Sequence, residues 1–306
     1  MITTYFKTIR DDSFKKIEDF RTGSWIHVSE ATSEDLEKIS TLANLPIFEL
    51  KDSLDKYEIP RIERLDEAII LFTRHPQKEE HGLFTMTLTV IMTSTFIITI
   101  TPSKSDVIDK ILLTNLTLGT TQKSKLLFHI LLRITANYTN RLKSVRNSVL
   151  EYTQTIKKVD NKTIILLTKN EEILSQDLNA LVPMRTLLDS ISSGRYVNLY
   201  EKDYDLLQDL MIAIKQSEDL CRVNIKSIRS LRDSYQIVFT NDVNKTIKML
   251  TAITIIFTVP TIIASIYGMN VDLPLDKAPN AFWIIISIIT LSSVVLLYIF
   301  ARKKWL

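Results

Sequence analysis

The chain has 306 residues, a formal net charge of +3, four histidines and one cysteine, Cys221. That balance gives no reason to expect a nucleic-acid partner, and a lone cysteine excludes an intramolecular disulfide framework and argues against a Cys/His zinc site. Only five glycines and eight prolines punctuate the sequence, and neither type occurs between Gly119 and Pro183 or between Gly194 and Pro260. Long uninterrupted elements are therefore expected.

Residues 1–101 mix short apolar alternations with short helical patterns. Ile2–Ile9 and Trp25–Val28 read as strands. Ser33 starts a helix, and Pro46 begins another that runs to about Lys56. Arg61–Arg64, Ala68–Arg74, Leu83–Met92 and Phe96–Thr101 read as strands joined by hairpins around Asp66-Glu67, His81-Gly82 and Thr93-Ser94. Strands mixed with helices indicate an α/β or α+β domain. A helix follows Pro102. From about Thr121 to Lys158 apolar residues recur at three and four, a polar turn follows at 159–162, and a second helix spans Thr163–Ser192. The pair predicts a helical hairpin.

Leu207, Leu210, Ile214, Ser217, Cys221, Asn224, Ile228, Leu231, Tyr235, Val238 and Asp242 follow a 3,4,3,4 spacing. This is a heptad seam with polar interruptions. No breaker separates it from the apolar run near Met249, so one helix is expected from about Asp203 to Tyr267. At about 1.5 Å per residue such a rod is on the order of 100 Å long.

Residues 249–271 and 278–301 contain no charged side chain, and each run exceeds the roughly 20 residues needed to cross a bilayer. Lys245 and Lys248 precede the first run, and Arg302, Lys303 and Lys304 follow the second. The expectation is a multi-pass protein of the cell (plasma or inner) membrane with both termini cytoplasmic. Two spans cannot enclose a path alone, so copies must surround an axis, and the seam offers a means of assembly.

Thr251, Thr254, Thr258, Thr261 and Ser265 are spaced 3,4,3,4 along the first run. At about 100° per residue they share an arc of about 80°. Ser and Thr in membrane helices also bond back to their own carbonyls or join helices. Five on one arc favour a wet face that lines a pore, with Ile247 and Leu250 as an apolar constriction able to gate by dewetting.

Pro260-Thr-Ile-Ile-Ala-Ser-Ile-Tyr267-Gly268-Met269-Asn270, a second span, and the closing Lys303-Lys-Trp-Leu306 resemble the CorA magnesium transporters, whose signature is Gly-Met-Asn at the end of the first of two spans. The likeness is strong over about residues 200–306. Before that it is looser, with Arg61-Ile-Glu after Pro60 similar to a family segment ahead of a strand. The resemblance implies a homopentameric channel. It implies a cytosolic α+β (α/β) domain with a mixed sheet between helices, a long stalk helix entering the inner span, and an outer ring made by the second span. It further implies that Gly268, Met269 and Asn270 form the selectivity loop at the outer mouth. There Asn270 carbonyls accept hydrogen bonds from the water shell of Mg²⁺, an ion that dehydrates reluctantly. Gly268 is expected to let the helix end. Asn244 matches a polar ring near the cytosolic end of the pore. Asp52 and Asp209, counted from Pro60 and Asn244, match a regulatory Mg²⁺ site between adjacent copies. Lys51 departs from the acidic neighbour common in the family.

The resulting organisation is residues 1–200 as the cytosolic domain, with its helical hairpin at about 121–192, and 201–248 as the stalk. Residues 249–267 form the first transmembrane helix, 268–280 the outer loop, 281–301 the second transmembrane helix and 302–306 a basic tail. The expected activity is potential-driven Mg²⁺ influx, gated by cytosolic Mg²⁺, with no organic cofactor and no enzyme chemistry. Expected partners are further copies of the chain, the lipid bilayer and divalent cations. Two alternatives stand beside it: Co²⁺, Ni²⁺ or Zn²⁺ transport by the same architecture, and a membrane-tethered coiled-coil sensor or scaffold without conduction.

Overall fold

A computed structural model of the chain describes every residue except 80, 81, 115, 156–160, 198, 276, 277 and 306. Of the sequence expectations, the turn at 159–160, His81, and Leu306 of the closing tetrapeptide lie outside the described residues. The chain divides into two compact units, Met1–Lys157 with Ile165–Leu231, and Lys158–Ile164 with Arg232–Leu306.

The first unit is built on a seven-stranded mixed sheet. Its strands are β1 (Ile2–Phe6), β2 (Lys15–Ile17), β3 (Trp25–Val28), β4 (Arg61–Leu65), β5 (Ala68–Glu79), β6 (Gly82–Met92) and β7 (Ile97–Ile100). The spatial order is β2-β1-β3-β7-β6-β5-β4. Only β3 and β7 run parallel; Ile26 lies beside Ile98 and Val28 beside Ile100. Helix α1 (Ser33–Ala43) starts at a capping box, in which Asp35 N–H donates to Thr32 Oγ1 at 3.2 Å and Thr32 N–H donates to Asp35 Oδ2. It covers one sheet face with Leu36 and Ile39, and Leu50 of α2 (Ile47–Leu50) joins them over Ile26, Ile70, Phe72, Ile98 and Ile100.

Four expectations are corrected. The helix after Pro46 stops at Leu50 and tightens into a 3-10 turn over Lys51–Leu54, so it does not reach Lys56. Strand β2 was not expected; it is a three-residue, lysine-bearing strand at the sheet edge, too short for a periodic signal. Strand β5 continues five residues past Arg74 despite Pro76. The reason is local: β4 pairs only with Ala68–Phe72, so at Pro76 the outer side of β5 is an open edge that needs no N–H donor. The fourth correction concerns the heptad seam.

Helices α3 (Asp106–Leu113), α4 (Lys123–Thr155), α5 (Asn161–Ser192) and the start of α6 (Glu201–Tyr267) complete this unit. Tyr138 of α4 donates to Arg74 O at 3.1 Å, and Arg141 donates to Phe84 O at 2.8 Å, tying α4 to β5 and β6. The Arg141 guanidinium also forms a buried ion pair with Asp177 of α5. On α6, Leu207, Leu210, Ile214, Ser217, Cys221, Asn224 and Ile228 are all buried. Asn224 Nδ2 donates to Leu142 O at 3.1 Å, the Cys221 thiol donates to Leu174 O at 3.1 Å, and Ser217 and Thr139 share a 2.8 Å hydrogen bond. The seam from 207 to 228 is thus consumed by the chain's own α4 and α5. It is not a free surface for assembly. Its continuation differs, since Val238 is exposed and Leu231, Tyr235 and Asp242 are only half-buried.

In the second unit α6 continues to Tyr267 and α7 runs over Ala281–Arg302. Both helices carry stretches long and apolar enough to cross a membrane by length and composition.

Candidate functional site

The apolar part of α6 has two dissimilar sides. Ala252 is fully buried, and Ile255, Ile256, Val259, Pro260 and Ile263 are half-buried. At about 100° per residue these six cluster on one side of the helix. Thr251, Thr254, Thr258, Thr261 and Ser265 are all exposed, and the same projection sets their arc about 150° from the covered one. Thr254, Thr258, Thr261 and Ser265 line an open groove with Phe257, and Met269 borders it at the loop end. Upstream, Asn244, Ile247 and Leu250 are exposed too.

The hydroxyl protons are committed. Thr251 donates to Ile247 O at 2.8 Å, Thr254 to Leu250 O at 2.9 Å, Thr258 to Thr254 O at 2.7 Å and Thr261 to Phe257 O at 2.8 Å. Spacing alone left open whether these side chains bond back to the helix; four of them do. The consequence is chemical. A hydroxyl whose proton is spent on the helix offers only oxygen lone pairs outward. The face is a row of acceptors. The water shell of a cation presents protons outward, and such a row matches it.

The helix ends where the signature begins. Gly268 N–H donates to Ala264 O at 3.0 Å, and Met269 N–H to Ile266 O at 3.2 Å. Gly268 does not adopt the left-handed conformation expected of a helix-ending glycine. A Cβ there would sit 3.3 Å from Ala264 O, the carbonyl its own N–H already bonds. Asn270 follows, exposed. Tyr267 Oη donates to Pro274 O at 3.4 Å, folding the loop back on the helix end. Asp272 is exposed, whereas Asp276 and Lys277 lie outside the described residues.

A sequence profile of the family described as CorA-like Mg²⁺ transporter protein matches residues 21–303. The chain belongs to this family. A cobalt/magnesium transport protein CorA of Methanocaldococcus jannaschii is 26% identical over 300 residues, covering 94% of this chain and 93% of that one. The CorA of Thermotoga maritima, of the same description, is 21% identical over 311 residues, covering 98% and 88%. The complete structure of the M. jannaschii CorA magnesium transporter superposes with a TM-score of 0.80 at 24% identity, over 100% of this chain and 99% of that chain. The CorA fold therefore extends over the whole chain.

Asp52 and Asp209, the residues the CorA resemblance pairs across copies, stand apart in character. Asp209 is exposed on α6. Asp52, in the 3-10 turn, accepts from Arg61 Nη2 at 2.7 Å. Arg61 Nε also donates to Glu63 at 2.6 Å, its Nη1 pairs with Glu58, and its guanidinium lies 4.2 Å from the centre of the Phe72 ring. Three carboxylates converge on one cation. Among the described residues no group of three or more His, Cys, Asp or Glu side chains is placed to hold a metal. Asp52 has oxygen donors of the hard type that Mg²⁺ takes. Its Oδ2 is already occupied by a guanidinium, so a dication at this carboxylate competes with Arg61. Sequence reading missed Arg61 in this role. The available signal was local: Arg61 and Glu63 share one face of a strand at a spacing of two.

His75 and His27 have other work. His75 Nδ1 sits 3.1 Å from the Pro76 carbonyl, which can only accept, so Nδ1 carries the proton and Nε2 accepts from Ser105 Oγ at 3.2 Å. Burial holds His75 down at about 4, and burial does the same to His27.

Proposed function

We propose that copies of this chain, five by the CorA resemblance, surround a common axis with the hydroxyl face of α6 turned inward, and that hydrated Mg²⁺ passes along it. The observation that supports this most directly is the exposed row of back-bonded threonines, whose outward oxygens are acceptors only. At the mouth, Gly268, Met269 and Asn270 form the selectivity loop, and the Asn270 amide carbonyl accepts from the ion's water shell. Ile247 and Leu250 form the apolar constriction, with Asn244 as a polar ring beside it. The membrane potential drives entry, since one elementary charge across 100 mV is worth about 2.3 kcal/mol. Both termini lie on the cytosolic side, flanked by Lys245, Lys248 and Arg302–Lys304.

Cytosolic Mg²⁺ held between Asp52 of one copy and Asp209 of the next keeps the ring closed, because two carboxylates attract only through the intervening dication and repel without it. Co²⁺ is the second substrate this reading admits, since the two relatives above are described as cobalt/magnesium transport proteins.

The test is Mg²⁺ flux into proteoliposomes. Asn270→Ala is expected to reduce flux at least tenfold, and Thr254→Val with Thr258→Val to reduce it with little change in protein stability. Equal flux in all three proteins would refute the pathway.

A further inference from the structure

We propose that the C-terminal end of α7 is a binding site for the phosphate groups of anionic glycerophospholipids. The site is a built corner, not a frayed tail. Lys303 ends the helix, Lys304 takes the left-handed conformation at φ 56°, and Trp305 turns back. Trp305 N–H donates to Phe300 O at 3.0 Å and Lys304 N–H donates to Ala301 O at 3.1 Å. These are the two hydrogen bonds of a Schellman motif, and the apolar contact that accompanies such motifs is present as well. The Trp305 and Phe300 rings stack with centroids 5.5 Å apart and planes 25° apart.

The corner holds three successive cations in a fixed arrangement. Arg302, Lys303 and Lys304 are exposed, and among the described residues none has a carboxylate partner. Left-handed backbone is strained for any residue but glycine, yet a lysine occupies it here. A helix that needed only to stop would do so with less strain using glycine. The position keeps a cation instead.

The depth fits as well. Trp283, exposed at the other end of α7, lies nineteen residues before Arg302, a span of about 29 Å in a helix against a bilayer core of about 30 Å. With Trp283 at one interface, the three cations and the Trp305 indole reach the opposite headgroup level. Indole and ammonium groups together suit that layer, where anionic phosphates are concentrated.

This inference rests on α7 spanning the bilayer but not on conduction, and the experiment separates the two. In a Trp283→Phe background, Trp25 is fully buried, so Trp305 is the indole that lipid can reach. Its quenching is measured in bilayers of brominated phosphatidylglycerol and of brominated phosphatidylcholine, with Mg²⁺ flux recorded in parallel. The anionic lipid is expected to be preferred, and the preference to fall by about fivefold for each cation removed. Lys304→Gly removes a charge while easing the left-handed corner, so its effect cannot be assigned to lost structure; Lys303→Gln adds the second step. Equal quenching by both lipids, no quenching by either, or an unchanged preference in the double variant overturns the proposal. So does loss of the preference on adding millimolar inorganic phosphate, which would make the ligand a free anion. Failure of the pore reading would appear as flux surviving Asn270→Ala, and would leave the quenching result standing.

Discussion

The two halves of α6 obey different rules although they are one unbroken helix. From Leu207 to Ile228 the apolar side faces the chain's own α4 and α5, and its polar members Ser217, Cys221 and Asn224 each have a partner there. From Arg232 onward Ile237, Val238, Val243, Ile247 and Leu250 are exposed, and Ala252 is the first fully buried residue. An exposed apolar run of that length marks a surface whose partners are other molecules. The first half is satisfied by folding. The second leaves its apolar residues exposed, which is what the proposed assembly in a bilayer would cover.

The sharpest test of this contrast is a matched pair. Ile214→Ala should destabilise the first unit by about 2–5 kcal/mol, the usual cost of emptying a packed isoleucine site. Ile247→Ala should change that unit's stability by less than about 0.5 kcal/mol and act on assembly and flux. Unfolding followed by Trp25 fluorescence, with flux measured alongside, reads both; equal destabilisation at the two positions would erase the contrast.

A smaller effect follows from acid. His27 and His75 are buried in the first unit with values near 4, below their ordinary 6.5. As pH falls the unfolded chain takes up these protons first. Stability is therefore full above about 6.5 and is lost toward 4, at about 1.4 kcal/mol per pH unit for each histidine. A melting temperature of the first unit that stays flat from pH 7 to pH 5 would contradict their burial. His75→Gln should remove one histidine's share of the slope.

The smallest effect tests Arg61. The Arg61–Asp52 pair is partly exposed, with side chains 32% and 48% accessible, so it is worth about 0.2–1 kcal/mol. Arg61→Gln should then lower the Mg²⁺ concentration that protects α6 from protease by up to about fivefold. Asp52→Asn should abolish the Mg²⁺ dependence. If neither variant moves the curve, Asp52 is not a sensing carboxylate.

Much of this was legible in the sequence, for identifiable reasons. Strand β3 and the ends of α5 and α6 fall at or near the expected residues because periodicity and the scarcity of glycine and proline speak directly to backbone. The two apolar runs were plain because the bilayer's demand for uninterrupted apolar length is a one-dimensional rule. What failed needed three dimensions. The expected strand ended at Arg74, and its run past Pro76 depends on the limited reach of β4, which cannot be seen in the chain. The seam at 207–228 looked like an oligomer surface because a heptad states that a partner exists and not whose it is. Gly268 was expected at the helix end, and it stands there without a left-handed backbone, which the sequence could not state. Arg61 stands in the sequence as part of the segment after Pro60, and its grip on Asp52 becomes visible only when the 3-10 turn meets β4.

The buried thiol has a practical consequence. Cys221 is the single cysteine, fully enclosed, and burial pushes it up to about 12. At neutral pH it is protonated and shielded from alkylating reagents. The natural chain is thus already a silent background for spin or fluorescent labelling. A cysteine introduced at an exposed site such as Leu250 would be the sole reactive position, and label-to-label distances there would test whether copies surround an axis as proposed, and how many.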